Sequence, residues 1–157
     1  MKSKLTKKII LDFLKMHKLM FVATQGEYPW IAAVFYTYDY DLNLYFLSSP
    51  ETLHCKQIKQ NNEVAVAIAD SNQQLNDVKK GIQIYGQVKQ ISDLNKIKYA
   101  VNLWIKSTGY KGLEISYKNM MAKVIKGRMY QIIPKKIKFF NEELFKVEDG
   151  KEPVLFT

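Results

Sequence analysis

Cysteine is almost absent from this chain of 157 residues, which contains a single one. An intrachain disulfide is therefore excluded, and with it the class of small disulfide-rich secreted proteins. Long apolar runs are absent as well, because the longest, residues 30–36, is far below the roughly 18 residues that suggest a membrane-spanning helix. The N-terminus shows no apolar stretch ending at a small-residue cleavage site. We therefore expect a cytoplasmic protein that does not cross a membrane.

Motifs for self-sufficient catalysis are also missing. The two histidines and the cysteine lack zinc-ligand spacing, and neither a phosphate-binding G-x-x-x-x-G-K loop nor a G-x-G-x-x-G or G-x-S-x-G motif occurs. His54 and Cys55 are neighbours on a predicted helix, about 100° apart around its axis, which disfavours a nucleophile–base pair. We interpret Cys55 as a packed side chain and His17 as the structural end of a helix. No catalytic or metal-binding residue is assigned, so redox chemistry would require a bound cofactor.

Positive charge is abundant, with a net charge of +9. Clustered lysines and arginines bind nucleic acids by releasing counterions. Here, however, Arg128 is the only arginine and the lysines are spread along the whole chain. This distribution favours a solvated basic surface and argues against nucleic acid as the main partner.

The apolar pattern predicts mostly strands after one helix. Apolar residues of the first stretch recur at helical spacing behind the candidate caps Ser3 and Thr6. From residue 19 onward, short runs of β-branched and aromatic residues alternate with turn residues, as they do in sheets. Ser92 is the predicted cap of a later helix, and residues 107–121 show no clear pattern. The predicted order is a helix over 5–16, strands near 19–25, 30–38 and 42–48, a helix over 50–60, strands over 64–69 and 81–91, a helix after 92, and strands near 128–133 and 136–140.

Several strands with hairpin-sized connections and only a few helices favour an antiparallel barrel with peripheral helices over alternating βαβ units. Residues 30–36 are apolar at odd and even positions alike, so both faces of that strand need cover. One face can fill the barrel. The other requires a helix, a partner chain or a flat ligand, and the small Ala32 and Ala33 would let a planar group approach.

A strand that runs into a helix, residues 46–58, has the pattern of an anion site. Ser49 suits the N-cap, Pro50 the first helical position, and Lys56 lies one turn beyond Thr52 on the same face. The alternative is an ordinary capped helix, in which Glu51 already satisfies the positive end of the helix dipole. The spacing leaves both interpretations open.

Extended similarity to one family adds to these patterns. Taken together, the segments resemble the pyridoxamine 5'-phosphate oxidase-like group of FMN-binding split-barrel proteins, in particular a little-characterised bacterial branch of short proteins. The resemblance implies a mainly β, α+β fold with a six-stranded antiparallel split barrel, peripheral helices and one domain over residues 1–157. The segments that carry it are 28–39, 42–52, His54 with Lys56, 61–66, 81–86 and, more thinly, 130–139.

The same resemblance implies FMN as cofactor, a homodimer with the flavin at the subunit interface, and a small-molecule substrate. In the family one strand lies along the flavin ring, the next strand end and helix start hold the phosphate, and a later strand reaches the partner's flavin. The matching residues are Ala33, Val34 and Phe35 for the ring, Ser48, Ser49, Thr52, His54 and Lys56 for the phosphate, and Gln83 for the partner's flavin.

Leu53 departs from this family pattern, since many relatives have an arginine there that pairs with the phosphate. Without that arginine, a charge-assisted contact to the phosphate worth roughly 1.5–3 kcal/mol is missing. The C-terminal third has no match to the substrate-binding tryptophan and arginine of true pyridoxamine 5'-phosphate oxidases, so vitamin B6 oxidation is not expected. The resemblance thus implies a flavin-dependent oxidoreductase of unspecified substrate and electron donor. The alternative is a non-enzymatic flavin or haem binding or sensor protein on the same fold.

Overall fold

Antiparallel strands form most of the protein. The computed structural model describes residues 4–110, 116–121, 126–148 and 150–157. Within these residues the strands are β1 (Leu19–Gln25), β2 (Pro29–Tyr38), β3 (Leu44–Ser48), β4 (Glu63–Ala69), β5 (Lys80–Gln90), β6 (Arg128–Asn141) and β7 (Val154–Phe156).

The sheet closes on itself. Its strand order is β3-β2-β1-β4-β5-β6-β7, and β3 also pairs with β6, so that six strands form a barrel. The predicted mainly β fold with a six-stranded antiparallel barrel is therefore confirmed. The short β7 was not predicted, and it adds to the free side of β6 at residues 136–138.

The two strands predicted on either side of Pro134 are one continuous strand, β6, so that prediction is wrong. The register against β5 shifts where Tyr85 pairs with Lys136 and Gly86 pairs with Pro134, which leaves Lys135 as an extra residue. Such a bulge accommodates proline, which has no N–H to donate to the ladder. Gly86 is required opposite it, because a Cβ there would lie 2.6 Å from the carbonyl oxygen of Ile133.

Helices lie around the barrel. Thr6 caps α1 by accepting a hydrogen bond from the backbone N–H of Ile9 at 3.3 Å. Asp93, not the predicted Ser92, caps α3, since its side chain accepts from the N–H of Lys96. Of the weakly assigned residues 107–121, positions 111–115 lie outside the described residues. The helices are α1 (Lys7–Lys15), α2 (Leu53–Gln60), α3 (Leu94–Thr108) and α4 (Tyr117–Met121).

Two clusters of buried side chains stabilise this arrangement. The larger fills the barrel and includes Phe46, Ile132 and Phe139 together with the buried face of α1. The smaller one packs α3, through Val101 and Trp104, against side chains of β3 and β6. None of the described helices has the length and apolar character that a membrane crossing needs.

Candidate functional site

β2 has one paired edge and one open edge. Pairing with β1 extends over residues 29–35, whereas β3 joins β2 only at Tyr36, Thr37 and Tyr38. Among the described residues, no strand pairs with the other edge of residues 29–35. The backbone N–H and C=O groups on that edge are therefore free of sheet partners and can bind a ligand.

The side chains of β2 alternate between the barrel interior and an exposed outer face. Ile31 and Phe35 are 61% and 54% exposed, and Ala33 between them is exposed as well. Val34 is half-buried and packs against the barrel core. Of the three residues predicted to contact a ring, Ala33 and Phe35 thus present their side chains outward, and Val34 could contribute only backbone atoms.

This exposed surface continues across neighbouring strands, and we call it the outer apolar face. A shallow cavity of about 390 Å³ lies on it, and Gln83, the predicted contact to a partner's flavin, is one of the cavity's lining residues. A contiguous exposed apolar surface of this kind marks a binding or assembly site. Its exposed apolar members are Phe21, Ile31, Ala33, Phe35, Ala65, Ala67 and Tyr85.

A small polar cluster lies where β3 runs into α2. The Nε2 atom of His54 lies 2.7 Å from Ser48 Oγ and 3.3 Å from Thr52 Oγ1. His54 is buried, with 8% of its surface exposed, so these hydroxyls provide the hydrogen bonds that a buried imidazole needs. The structure thus brings together three of the residues predicted to bind phosphate. We call Ser48, Thr52 and His54 the hydroxyl–histidine cluster.

Cys55 borders this cluster. It is 3% exposed and belongs to the barrel core, as its interpretation as a packed side chain requires. Burial alone raises the pKa of its thiol, but hydrogen bonds from the side chains around it, led by His54 and including Tyr130, bring the pKa below its ordinary value. Burial also raises the pKa of the Tyr130 hydroxyl, which stays protonated.

The start of α2 differs from the prediction. Ser49 is not the N-cap and Pro50 is not in the helix, because residues 49–52 form a turn and α2 begins at Leu53 with Thr52 as N-cap. The Thr52 hydroxyl donates to the carbonyl oxygen of Ser49 at 2.7 Å and does not cap the helix. The N–H groups of the first turn therefore have no side-chain cap. An uncapped helix start carries partial positive charge and attracts anions.

Lys56 is separated from the hydroxyl–histidine cluster. Its Nζ lies 3.4 Å from the carboxylate of Glu51, and the ion pair is exposed. Lys56 lines a cavity together with residues of β5 and β6, and no member of the cluster borders that cavity. The structure therefore places the predicted phosphate ligands on two different sides of α2.

Gln57 was not predicted, although it anchors α2 to the barrel. Its Oε1 accepts a hydrogen bond from Thr24 at 2.6 Å, and its Nε2 donates to the carbonyl oxygen of Tyr28 at 3.0 Å. Gly26 leaves room for it, since a Cβ at that position would lie 2.8 Å from Gln57 Cγ. The available signal was a glutamine one residue before Ile58 on the buried side of a short helix.

Leu53, the residue that departs from the family pattern, is the first residue of α2 and is half-buried. It is not a member of either buried cluster.

Within the described residues, no group of three or more His, Cys, Asp or Glu side chains could hold a metal ion.

Two of three comparisons with known proteins found matches. The family model described as pyridoxamine 5'-phosphate oxidase matches residues 6–135. A comparison with curated protein sequences found no match. A solved Clostridium acetobutylicum protein, related to general stress protein 26 and assigned to the pyridoxinephosphate oxidase family, is similar with 17% identity, a TM-score of 0.66, and 97% of this chain and 96% of that chain covered.

Two further solved structures share the architecture. An FAD-binding protein from Mesorhizobium loti has 15% identity and a TM-score of 0.65, covering 85% of this chain and 90% of that one. A conserved hypothetical protein from Mycobacterium tuberculosis also has 15% identity, with a TM-score of 0.71 and coverage of 95% and 94%. At these identities the structural likeness shows the fold alone.

Proposed function

This chain belongs to the pyridoxamine 5'-phosphate oxidase-like family, and we propose that it binds FMN as a homodimer and acts as a flavin-dependent oxidoreductase on a small molecule. The observation that carries the proposal is the open edge of β2 beside the uncapped start of α2. A flat ring needs the first feature and a phosphate needs the second. The two features lie close together, because β3 leaves β2 after Phe46 and reaches the helix start within a few residues.

The open edge of β2 suits the ring of a flavin for two reasons. Residues 29–35 offer backbone donors and acceptors along one edge, as the polar rim of an isoalloxazine requires. Ala33 is small, so its exposed side chain leaves space between Ile31 and Phe35 for a planar group. These residues fit the ring without relying on a titratable side chain, since residues 29–35 contain none.

The start of α2 and the hydroxyls near it suit the phosphate of FMN. The first-turn N–H groups of α2, together with the side chains of Ser48, Ser49 and Thr52, would hold the phosphate. His54 lies within hydrogen-bond distance of the hydroxyls of Ser48 and Thr52 and orients them. Lys56 adds positive charge nearby but is paired with Glu51, so we expect it to contribute less than the hydroxyls and N–H groups.

Bound FMN would supply the electron-transfer chemistry that the side chains of this protein cannot provide. The chain itself would bind the flavin, orient it and shield its ring from water. Ile31 and Phe35 would keep water from the ring, which strengthens the hydrogen bonds made by the β2 edge.

The outer apolar face supports a homodimer. It exposes Phe21 on β1, Ile31 and Phe35 on β2, and Tyr85 on β5, and these four side chains are between 44% and 61% exposed. A second copy of the chain would bury this face and place Gln83 near the partner's flavin. Obligate homodimers of this kind bury more than roughly 2,000 Å² in total.

Flavin binding is tested by titrating the purified protein with FMN and following the quenching of flavin fluorescence. We expect the double variant Thr52→Ala, Lys56→Ala to weaken binding by at least about tenfold, because a helix-start hydroxyl and an ammonium are lost together. The matched control is Lys15→Ala, at an exposed position in α1. Equal FMN affinity in all three proteins would place the phosphate elsewhere.

Dimerisation is tested by light scattering of the variant Phe35→Glu. A carboxylate in the middle of a buried apolar interface is costly, so the variant should be monomeric at micromolar concentration. Leu75→Glu is the control, because Leu75 is 89% exposed in the connection between β4 and β5. A wild-type protein that is already monomeric would remove the basis for a shared flavin site.

A carrier or sensor that binds flavin or haem without catalysis is the second candidate, and Leu53 favours it. An enzyme should accept electrons from a nicotinamide cofactor and bleach the flavin absorbance under anaerobic conditions. A carrier would bind the flavin and leave it oxidised.

A further inference from the structure

A cavity of about 470 Å³ lies on the side of α2 that faces away from β2. None of its lining residues comes from β1, β2 or β3, so it is separate from the open edge and the hydroxyl–histidine cluster. Its volume is within the range of pockets that hold small molecules. The residues that matter for its chemistry are Cys55, Lys56, Lys59, Val88, Lys89 and Tyr130.

Positive charge dominates the cavity rim. Lys56, Lys59 and Lys89 line it, and Glu51 is the only acidic lining residue among those that the structure describes. Glu51 pairs with Lys56, while the described part of the chain places no carboxylate within 4.0 Å of the ammonium groups of Lys59 and Lys89. Two ammonium groups on separate elements, α2 and β5, are therefore free to bind an anion.

This concentration of lysines does not simply follow from the net charge of the chain. A second cavity, of about 420 Å³, lies under α1, and Lys80 is the only lysine among its described lining residues. Carboxylates dominate that cavity. Its four acidic residues are Asp12, Asp70, Asp77 and Glu143.

The floor of the basic cavity is apolar and rigid. Ile58 and Val88 contribute aliphatic surface, and the ring of Tyr130 is stacked on Phe46 with centroids 5.2 Å apart. The Tyr130 hydroxyl, kept protonated by its raised pKa, donates to Oε1 of Gln90 at 3.5 Å beside this floor. An apolar floor beneath a cationic rim suits a ligand with a carbon skeleton and an anionic group.

We propose that this cavity is a second ligand site that takes a small organic phosphate, with its phosphate between Lys59 and Lys89 and its carbon skeleton over Tyr130 and Val88. Lysine ammonium groups bind phosphate as point charges, and two of them match its double negative charge. The proposal does not depend on flavin binding, because α2 separates the two sites.

Calorimetric titration tests the site with three probes: 5'-adenosine monophosphate, glucose 6-phosphate and inorganic phosphate. We expect at least one organic phosphate to bind with one site per chain and more tightly than inorganic phosphate. The variant Lys59→Gln, Lys89→Gln should weaken that binding by about tenfold or more, because two charge-assisted contacts are lost. The matched control Lys15→Gln, Lys18→Gln removes the same charge from exposed positions at the other end of the barrel and should leave the affinity unchanged.

Cys55 provides an independent readout, because it is the only cysteine and lines the cavity. A bound organic phosphate should slow its alkylation by neutral iodoacetamide in the wild type and in the control, but not in the Lys59→Gln, Lys89→Gln variant.

Several results would overturn the proposal. These are no binding of either organic phosphate at millimolar concentration, equal loss of affinity in the control, or an affinity for inorganic phosphate equal to that of the organic probes. Displacement of the bound probe by FMN would assign the cavity to the flavin site. Binding of a short DNA duplex that is lost in the same variant, without binding of the small probes, would identify a nucleic-acid surface.

Discussion

Two helices close opposite ends of the β1–β2 hairpin, and they do so by different means. At one end the hydroxyl of Tyr36, near the end of β2, donates to the carbonyl oxygen of Leu14 in α1 at 2.9 Å. At the other end, Gln57 of α2 donates to the carbonyl oxygen of Tyr28 at 3.0 Å. Each helix therefore contacts one end of the hairpin, and their sequences can be compared directly.

α1 follows the rules for a structural helix. It has a side-chain cap at Thr6 and buries Ile10, Phe13 and Leu14 in the barrel. α2 breaks the same rules, because its cap residue makes no side-chain cap hydrogen bond and two of its four buried residues, His54 and Gln57, are polar. Departures of this kind concentrate at functional sites. The comparison leads us to expect a structural role for the α1 end and ligand binding at the α2 end.

The largest effect is expected from Phe13→Ala at the α1 end. Phe13 is 8% exposed and contacts the ring of Phe139 at a centroid distance of 4.9 Å, so the truncation leaves a cavity in the core. We expect the free energy of unfolding to fall by about 3–5 kcal/mol in urea denaturation. Met16→Ala is the control, because Met16 is 76% exposed. FMN affinity of the folded variant should be unchanged, and a loss of affinity would contradict the division between the two ends.

A smaller loss is expected from Gln57→Leu at the α2 end. The change leaves the Thr24 hydroxyl without its partner, and the Tyr28 carbonyl group keeps only the N–H of Gly26 at 3.4 Å. We therefore expect the free energy of unfolding to fall by about 1–3 kcal/mol. Adding Thr24→Val should recover part of that loss, because one unsatisfied polar group is removed together with its partner. Denaturation of both variants checks this, and a double variant that is less stable than the single one would refute the role of the hydrogen bond.

Leu53→Arg should change ligand binding more than stability. Leu53 is half-buried outside both buried clusters, so an arginine there is not expected to bury an unpaired charge. At the start of α2 it can pair with a phosphate and tighten FMN by about tenfold, equivalent to about 1.4 kcal/mol. FMN affinity and thermal midpoint should be measured on the same variant. A lower midpoint with unchanged affinity would mean that Leu53 faces the core and that the phosphate lies elsewhere.

The smallest effect concerns His17 at the α1 end. Burial lowers its pKa, and Asp70 only partly opposes the shift, so the folded state favours the neutral imidazole. This contribution to stability is present above the ordinary histidine pKa and is lost as the pH falls through the lowered value of the folded state. The thermal midpoint of the wild type should therefore drop more than that of His17→Gln between about pH 7 and 5. If the thermal midpoints of the two proteins fall by the same amount across this range, His17 does not contribute to the pH dependence of stability.

Local pattern by itself determined most of the secondary structure. The helical spacing of the first apolar residues and the β-branched runs after residue 19 predicted α1, β1 and β2 with nearly the observed bounds. These predictions succeeded because periodicity depends only on neighbours along the chain. The strand pattern also favoured an antiparallel barrel, and the family resemblance added its six strands and placed Ser48, Thr52 and His54 in one candidate site.

Tertiary structure alone decided which residues lie on each side of α2. The sequence placed Lys56 with the phosphate ligands, because it lies one turn beyond Thr52, but the turn at residues 49–52 delays the start of the helix and Lys56 faces β5 and β6. The sequence pattern also did not predict the bulge at Pro134 or the hydrogen bonds by which Gln57 anchors α2. In each case the deciding contact joins residues far apart in the chain, and its energy depends on packing that sequence spacing does not encode.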